Sequence, residues 1–363
     1  MALVLENIAL SVGGVVHLHP TSLSLARGSL TVLLGPTLSG KTTLLRLMAG
    51  LDRPDAGRVL LDGVDVTAMP VRRRRVAMVY QQFINYPTLS VFENIASPLR
   101  VAGLSRGAIV DKVKTAARLL RLEPFLDRTP RELSGGQQQR TAIARALVKD
   151  ADLVLMDEPL ANLDYKLREE MREELPRVFE ASGAVFVYAS TEPAEALMFG
   201  GGVATMHQGQ VTQLGPASEV YRQPLDLVTA GAFSDPPINQ FAAIKANGAI
   251  RLATGEDLEA SSLPPLPDGP LTLAARAHEI RLEAVPGAVA LAGRVRVAEI
   301  SGSESFVHVT FPDGRDRVVQ VPGVHRHEPD SHILVWLDPR RLFAFGADGR
   351  LLVAPSAAAR GAG

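Results

Sequence analysis

Two short stretches hold the side chains best suited to chemistry. The first is GPTLSGKTT, residues 35–43. A glycine, four residues and then Gly-Lys-Thr is the spacing of a loop that wraps phosphate. Gly35, Pro36, Thr37, Leu38, Ser39 and Gly40 form a turn whose backbone N–H groups point inward at the start of a helix, where the helix dipole adds to their pull on an anion. Lys41 would reach the β- and γ-phosphates of a nucleotide, Thr42 would ligate Mg²⁺, and Thr43 continues the helix. Leu38 stands where such loops usually repeat a glycine, which predicts a stiffer loop. The second stretch is LVLMDEP, residues 153–159. Four apolar residues bury a strand, and Asp157 emerges at its end to hold Mg²⁺ through water. Glu158 then follows, placed to orient or deprotonate an attacking water. The bland alternative is a pair of surface carboxylates after a strand.

The elements that must carry these residues are legible as short apolar runs. SLTVLLG (29–35) reads as a buried strand entering the loop, and KTTLLRLMAG (41–50) as the helix leaving it. ADLVLMDEP and GAVFVYAS read as short strands of a parallel sheet, and GGVATMHQGQVTQLG as a hairpin. The helix DYKLREEMREELPRVFEASG contains Pro176, which predicts a kink or split. ELSGGQQQR (132–140) places Ser134, Gly135, Gly136 and Gln137 at a second helix start, another anion-binding terminus. One domain rarely needs two such termini for one triphosphate. A head-to-tail dimer does, each chain closing over the other's nucleotide.

The order GxxxxGKT, VYQQ, LSGGQ, DEP and ANLD resembles the ATP-binding cassette of ABC transporters, over residues 1–235. The resemblance implies an α/β P-loop NTPase fold: a RecA-like core, an antiparallel β subdomain and a helical subdomain. It implies that Gln81 touches Mg²⁺ and water, that Ser134 and Gly136 contact a partner chain's γ-phosphate, and that Asp164 links the two sites. The segment from Gly215 through FSDPPIN, with AARAHEIRL and DPRRLFAFGADGRLL, resembles carbohydrate importers of the maltose and glycerol-phosphate type. Alternating short runs between the turns Asp268-Gly269, Asp313-Gly314 and Asp348-Gly349 independently predict an all-β second domain, residues 236–355, as a small barrel; the resemblance implies that it is OB-like (TOBE-like) and regulatory. Residues 356–363 are expected to be a disordered tail.

Family members carry a histidine after the strand that FVYAS represents. Here Thr191 takes that position, between Ser190 and Glu192, and Ser190-Thr191-Glu192-Pro193 reads as a helix cap. A threonine hydroxyl falls short of an imidazole nitrogen, so this chain's own site is expected to bind ATP and hydrolyse it slowly. Val12 stands where the family stacks adenine on an aromatic. The intact LSGGQ then suggests a heterodimer, in which the productive site is the partner's phosphate loop closed by this chain's Ser134 and Gly136. A homodimer that manages with Thr191 and a non-catalytic ATP-gated scaffold remain the alternatives.

The resemblance also implies two membrane-spanning permease subunits, docking near Phe83 and Tyr86 of QFINYPTLSVFENI, with Phe92 in the core. A periplasmic solute-binding protein would act indirectly, and the chain would sit on the cytoplasmic face of the bacterial inner membrane. The solute would be a carbohydrate or polyol, the altered loop pointing to one such as glycerol. A net charge of −1 offers no field to draw nucleic acid, and VRRRRV (71–76) is expected to be a solvated edge. The absence of cysteine excludes disulfides and thiol catalysis. MALVLENIAL lacks a basic n-region and reads as a first strand, and no apolar run is long enough to span a bilayer. A DNA-repair ATPase would need a coiled-coil insertion between residues 45 and 130, which is too short a stretch to hold one.

Overall fold

The apolar runs of the first half stand side by side because each is buried on both faces. The computed structural model describes residues 2–356, apart from 83 and 162; residues 357–363 of the expected tail lie outside them. Among the described residues the strands form four sheets. The chain divides into two compact units between Ala217 and Ser218.

In the first unit a six-stranded sheet runs in the order Gln210–Pro216, Gly202–His207, Leu30–Leu34, Val185–Ser190, Leu153–Asp157, Val76–Val79. All neighbours are parallel except the first pair, a hairpin. Strands Leu153–Asp157 and Val185–Ser190 are buried along their whole length, as expected inside a covered parallel sheet. A second, antiparallel sheet pairs Val15–Ala26, Ala2–Val12, Ala56–Leu61 and Val64–Asp65. Helix Lys41–Ala49 lies in the core that both sheets contribute to, with Leu44, Leu45, Leu47 and Met48 buried against Leu5, Ile8 and Leu33. Burial of each such side chain stabilises by about 1.5–3 kcal/mol. Gly40 and Gly50, both at positive φ, bound the helix. Helices Val91–Val101, Arg106–Leu119 and Gly135–Leu147 pack on one another as the helical part of this unit.

Three expectations are corrected here. Helix Tyr165–Ser182 runs unbroken through Pro176, with Met171, Leu175 and Phe179 buried. That apolar face, with the Phe179 ring 4.3 Å from Phe186, outweighs one lost backbone hydrogen bond. The arginine run is not a solvated edge throughout. Arg74 is 5% exposed and donates to the carbonyls of Met48, Val66, Thr67 and Met69. A Cβ at Gly50 would run into its guanidinium. Finally, Phe92 is half-buried rather than a core residue.

The second unit is all-β apart from short helices. One antiparallel sheet runs Asp257–Glu259, Ala249–Leu252, Asn239–Ala246, Gly269–Ala275, Phe343–Gly346, Leu351–Val353. The other runs Ile280–Arg281, His332–Leu337, Val289–Ile300, Glu304–Thr310, Asp316–Pro322. Both sheets feed one core that includes Phe241, Leu273, Leu291, Val307 and Val335. In RVRVAEI the alternation holds through Val295 and fails at Val297, which is 38% exposed. The strand pairing slips by one residue between them, and an extra residue turns every later side chain to the other face. The segment after Ser218 clusters with this unit rather than the first. Arg276 lies 3.7 Å over the Tyr221 ring, Leu227 N–H donates to Gly349, and Ala230 joins Phe343 and Phe345 in an apolar cluster.

Candidate functional site

Strand Leu30–Leu34 delivers the chain to Gly35 at the end of the parallel sheet, where open α/β sheets place their ligands. The loop is tightly held. Gly35 N–H donates to the Ser190 carbonyl at 3.3 Å, and the Ser39 carbonyl accepts from Gly209 N–H at 2.9 Å. A Cβ on Gly35 would strike the Met206 carbonyl, so only glycine fits. Leu38 sits at φ 66° with its side chain 95% exposed. A leucine in left-handed backbone is strained, and the loop keeps its turn at that cost.

Lys41 is buried and folds back, donating to the Gly35 and Pro36 carbonyls at 2.8 and 3.0 Å. Its Nζ lies 3.6 Å from Glu158 Oε1. Burial pulls its pKa below the ordinary lysine value, against the opposing pull of Glu158 and Asp157. Thr42 Oγ1 donates to Asp157 Oδ2 at 2.8 Å. Burial pushes the Asp157 carboxyl up; the Thr42 hydrogen bond opposes this, and Glu158 adds to it. Glu158 stands at φ 46°, its N–H on the Ala189 carbonyl, and its Oε2 accepts from Gln81 Nε2 at 3.1 Å. A lysine, two carboxylates, a hydroxyl and an amide thus converge where three strands end.

Lys41, Thr42, Glu158 and Gln81 line a cleft of about 480 Å³, together with residues 37–40, Thr43, Val15, Val16, His17, Gln208 and Gly209; Asp157 is not in that lining but accepts from Thr42, which is. The donor set of the cleft suits phosphate. The Ser39 hydroxyl is buried without a hydrogen-bond partner, a cost of about 1–3 kcal/mol that an acceptor oxygen would remove. The Thr42 and Asp157 oxygens are hard donors that suit a small divalent cation. No cluster of three or more His, Cys, Asp or Glu able to hold a metal occurs among the described residues. Two protein donors completed by phosphate oxygens is the usual arrangement for Mg²⁺.

Other residues singled out from the sequence lie outside this cleft. Val12 does not line it; across its hairpin, Val15, Val16 and His17 do. Thr191 follows Ser190, whose carbonyl meets Gly35, yet Thr191 is exposed and not part of the lining. The cap of helix Pro193–Phe199 is Glu192 rather than Ser190 or Thr191; Ser190 Oγ accepts from Glu192 N–H at 2.9 Å and donates to Glu195. Ser134 caps helix Gly135–Leu147 in a reciprocal box with Gln137. Ser134 and Gly135 are exposed, Gly136 and Gln137 half-buried, and none lines the cleft. Asp164 caps helix Tyr165–Ser182 through Leu167 N–H. Phe83 lies outside the described residues, and Tyr86 is 49% exposed with the Arg145 guanidinium 5.1 Å over its ring.

One cluster was missed entirely. Arg172, 8% exposed, pairs with Glu195, 5% exposed, at 3.3 Å, and also with Glu192 and Glu169. Arg168 pairs with Glu192 at 3.0 Å. Burial works against the Arg172 charge, but Glu195 and Glu192 prevail and hold its pKa up. The network anchors the 190–195 loop to the helix that Asp164 caps. The four-residue step from Arg168 to Arg172 on one helix face was the available signal.

Among the described residues no helix is long and apolar enough to cross a membrane. A model of the ABC transporter family matches residues 18–161, and a TOBE domain model matches residues 273–345. The chain is similar to the sn-glycerol-3-phosphate import ATP-binding protein UgpC of Pectobacterium atrosepticum, 36% identical over 324 residues, 88% of this chain and 89% of that one. The protein of the same name from Paracoccus denitrificans is 35% identical over 344 residues, 94% of this chain and 96% of that one. Among solved structures it resembles a dimeric ATP-binding cassette in a post-hydrolysis state bound to ADP and Pi. That match is 28% identical with a TM-score of 0.55, over 59% of this chain and 98% of that one.

Proposed function

The chain belongs to the family of ABC transporter ATP-binding proteins that power importers, and on that premise we propose that it is the altered half of a paired ATPase driving uptake of a small polyol or its phosphate ester. The observation that carries this reading is the division of the catalytic groups. Lys41, Thr42, Glu158 and Gln81 line one cleft, with Asp157 hydrogen-bonded to Thr42, while the exposed Ser134 cap is not part of that lining; on this reading it serves a second chain.

Lys41 leaves the Gly35 and Pro36 carbonyls to meet the β- and γ-phosphates of ATP. Thr42 and Asp157 would hold Mg²⁺, which when bound would neutralise charge on the phosphate oxygens. Glu158, oriented by Gln81, takes the proton of the attacking water. Thr191 lacks the reach of a histidine and stands outside the cleft, so this chain's own site turns over slowly. The partner cassette carries the histidine, and Ser134 and Gly136 close its nucleotide. ATP binding closes the pair, closure moves two membrane-spanning permeases docked near Tyr86, and hydrolysis reopens it. The motor sits on the cytoplasmic face of the inner membrane, and a periplasmic binding protein delivers the solute.

The solute class rests on the relatives named for sn-glycerol-3-phosphate import and on the altered 190–193 loop. Purification of the assembled importer tests it. A second, non-identical cassette should co-purify, and ATPase should rise with glycerol or glycerol phosphate. An importer with two copies of this chain alone, or one stimulated only by an unrelated solute, would contradict the reading.

A further inference from the structure

The lining of the cleft carries a ring that the phosphate chemistry does not use. In the hairpin of strands Ala2–Val12 and Val15–Ala26, Ser11 pairs with Val16 but Leu10 pairs with Leu18. His17 is therefore the extra residue of a β-bulge, a device that re-aims a side chain. Val16 and His17 are both exposed on the cleft, and Leu18 returns to the core.

The backbone behind the imidazole is pinned to the phosphate loop. A Cβ on Gly209 would stand 2.7 Å from the His17 carbonyl oxygen, and one on Gly40 would stand 3.3 Å from it. Gly209 carbonyl accepts from His19 N–H at 2.9 Å, and Gly209 N–H donates to the Ser39 carbonyl at 2.9 Å. The position of His17 is thereby referenced to the loop that would hold phosphates. Among the described residues no Phe, Tyr or Trp lines the cleft, and His17 is the one aromatic ring in its lining.

We propose that His17, not position 12, is the base-recognition residue of this chain, its imidazole stacking on adenine over an apolar floor of Val15 and Val16. The proposal rests on the nucleotide-binding reading above. A flat π side chain beside a base is the standard stacking platform, and its removal weakens binding by about tenfold.

Equilibrium binding of ADP and of inorganic tripolyphosphate to the full chain tests it. His17→Ala should weaken ADP about tenfold and leave tripolyphosphate unchanged. His17→Phe should restore ADP affinity, and Val12→Ala should change neither. Unchanged ADP binding in His17→Ala, an equal loss of tripolyphosphate, or failure of His17→Phe to restore would each overturn the assignment while leaving the phosphate site standing. A wild-type chain that binds neither probe would overturn the nucleotide reading, and the role of His17 with it.

Discussion

Arg172→Met is the most informative perturbation of the loop that carries Thr191. In the native chain Arg172 and Glu195 are 8% and 5% exposed and 3.3 Å apart. Removing the guanidinium leaves Glu195 buried without its cation, with only the Ser190 and Tyr188 hydroxyls beside it. Breaking a buried pair in this way costs about 3–5 kcal/mol. For a unit of this size that corresponds to a fall in Tm of roughly 10 °C. Burial already holds the Glu195 pKa above the ordinary carboxylate value, with Arg172 opposing, so the variant raises it further. The folded variant then binds a proton at pH values where the unfolded chain has released it. Its stability therefore rises as pH falls through that window, and the deficit against wild type shrinks. Arg172→Met with Glu195→Met should recover most of the loss, because apolar side chains replace the pair and Glu192 keeps Arg168. Thermal melts of all three proteins at pH 8 and pH 5.5 supply the assay. A single variant as stable as wild type at pH 8, or a deficit that grows on acidification, would refute the reasoning.

Thr191→His should raise turnover at this chain's own site by about 10²-fold, the worth of one placed polar group at a transition state; single-turnover hydrolysis in the assembled importer reads it, and no change would mean that the loop does not limit the site. Because burial raises the Asp157 pKa, Mg²⁺-dependent nucleotide binding should weaken on acidification at a higher pH than an ordinary carboxylate would dictate. Asp157→Asn should remove that pH dependence along with most of the Mg²⁺ effect, measured by ADP titration with and without the metal.

The phosphate loop and the strand ending at Asp157 were legible because their signals are local: apolar runs bounded by glycine, with the polar residues at fixed offsets. Contacts made at long range were not. Arg74 looked like one of four surface arginines because its carbonyl partners come from Met48, Val66, Thr67 and Met69, which no sequence period connects. Pro176 looked like a helix breaker because propensity carries no record of the Phe179–Phe186 contact. The re-aimed His17 and the broken alternation at Val297, which RVRVAEI would place on the same face as Val295, share one reason. A bulge shifts the face of a strand by one residue and leaves no mark in composition. The Arg172 network needed the fold to bring residues 168–172 against 190–195.

The central claim is that Ser134 acts on a partner's nucleotide while Glu158 acts on this chain's own slower site. ATPase of the assembled importer, with Ser134→Arg or Glu158→Gln in this chain alone, tests it most directly. Ser134→Arg should abolish most of the turnover and Glu158→Gln should remove little. Full activity with Ser134→Arg, together with its loss in Glu158→Gln, would contradict it.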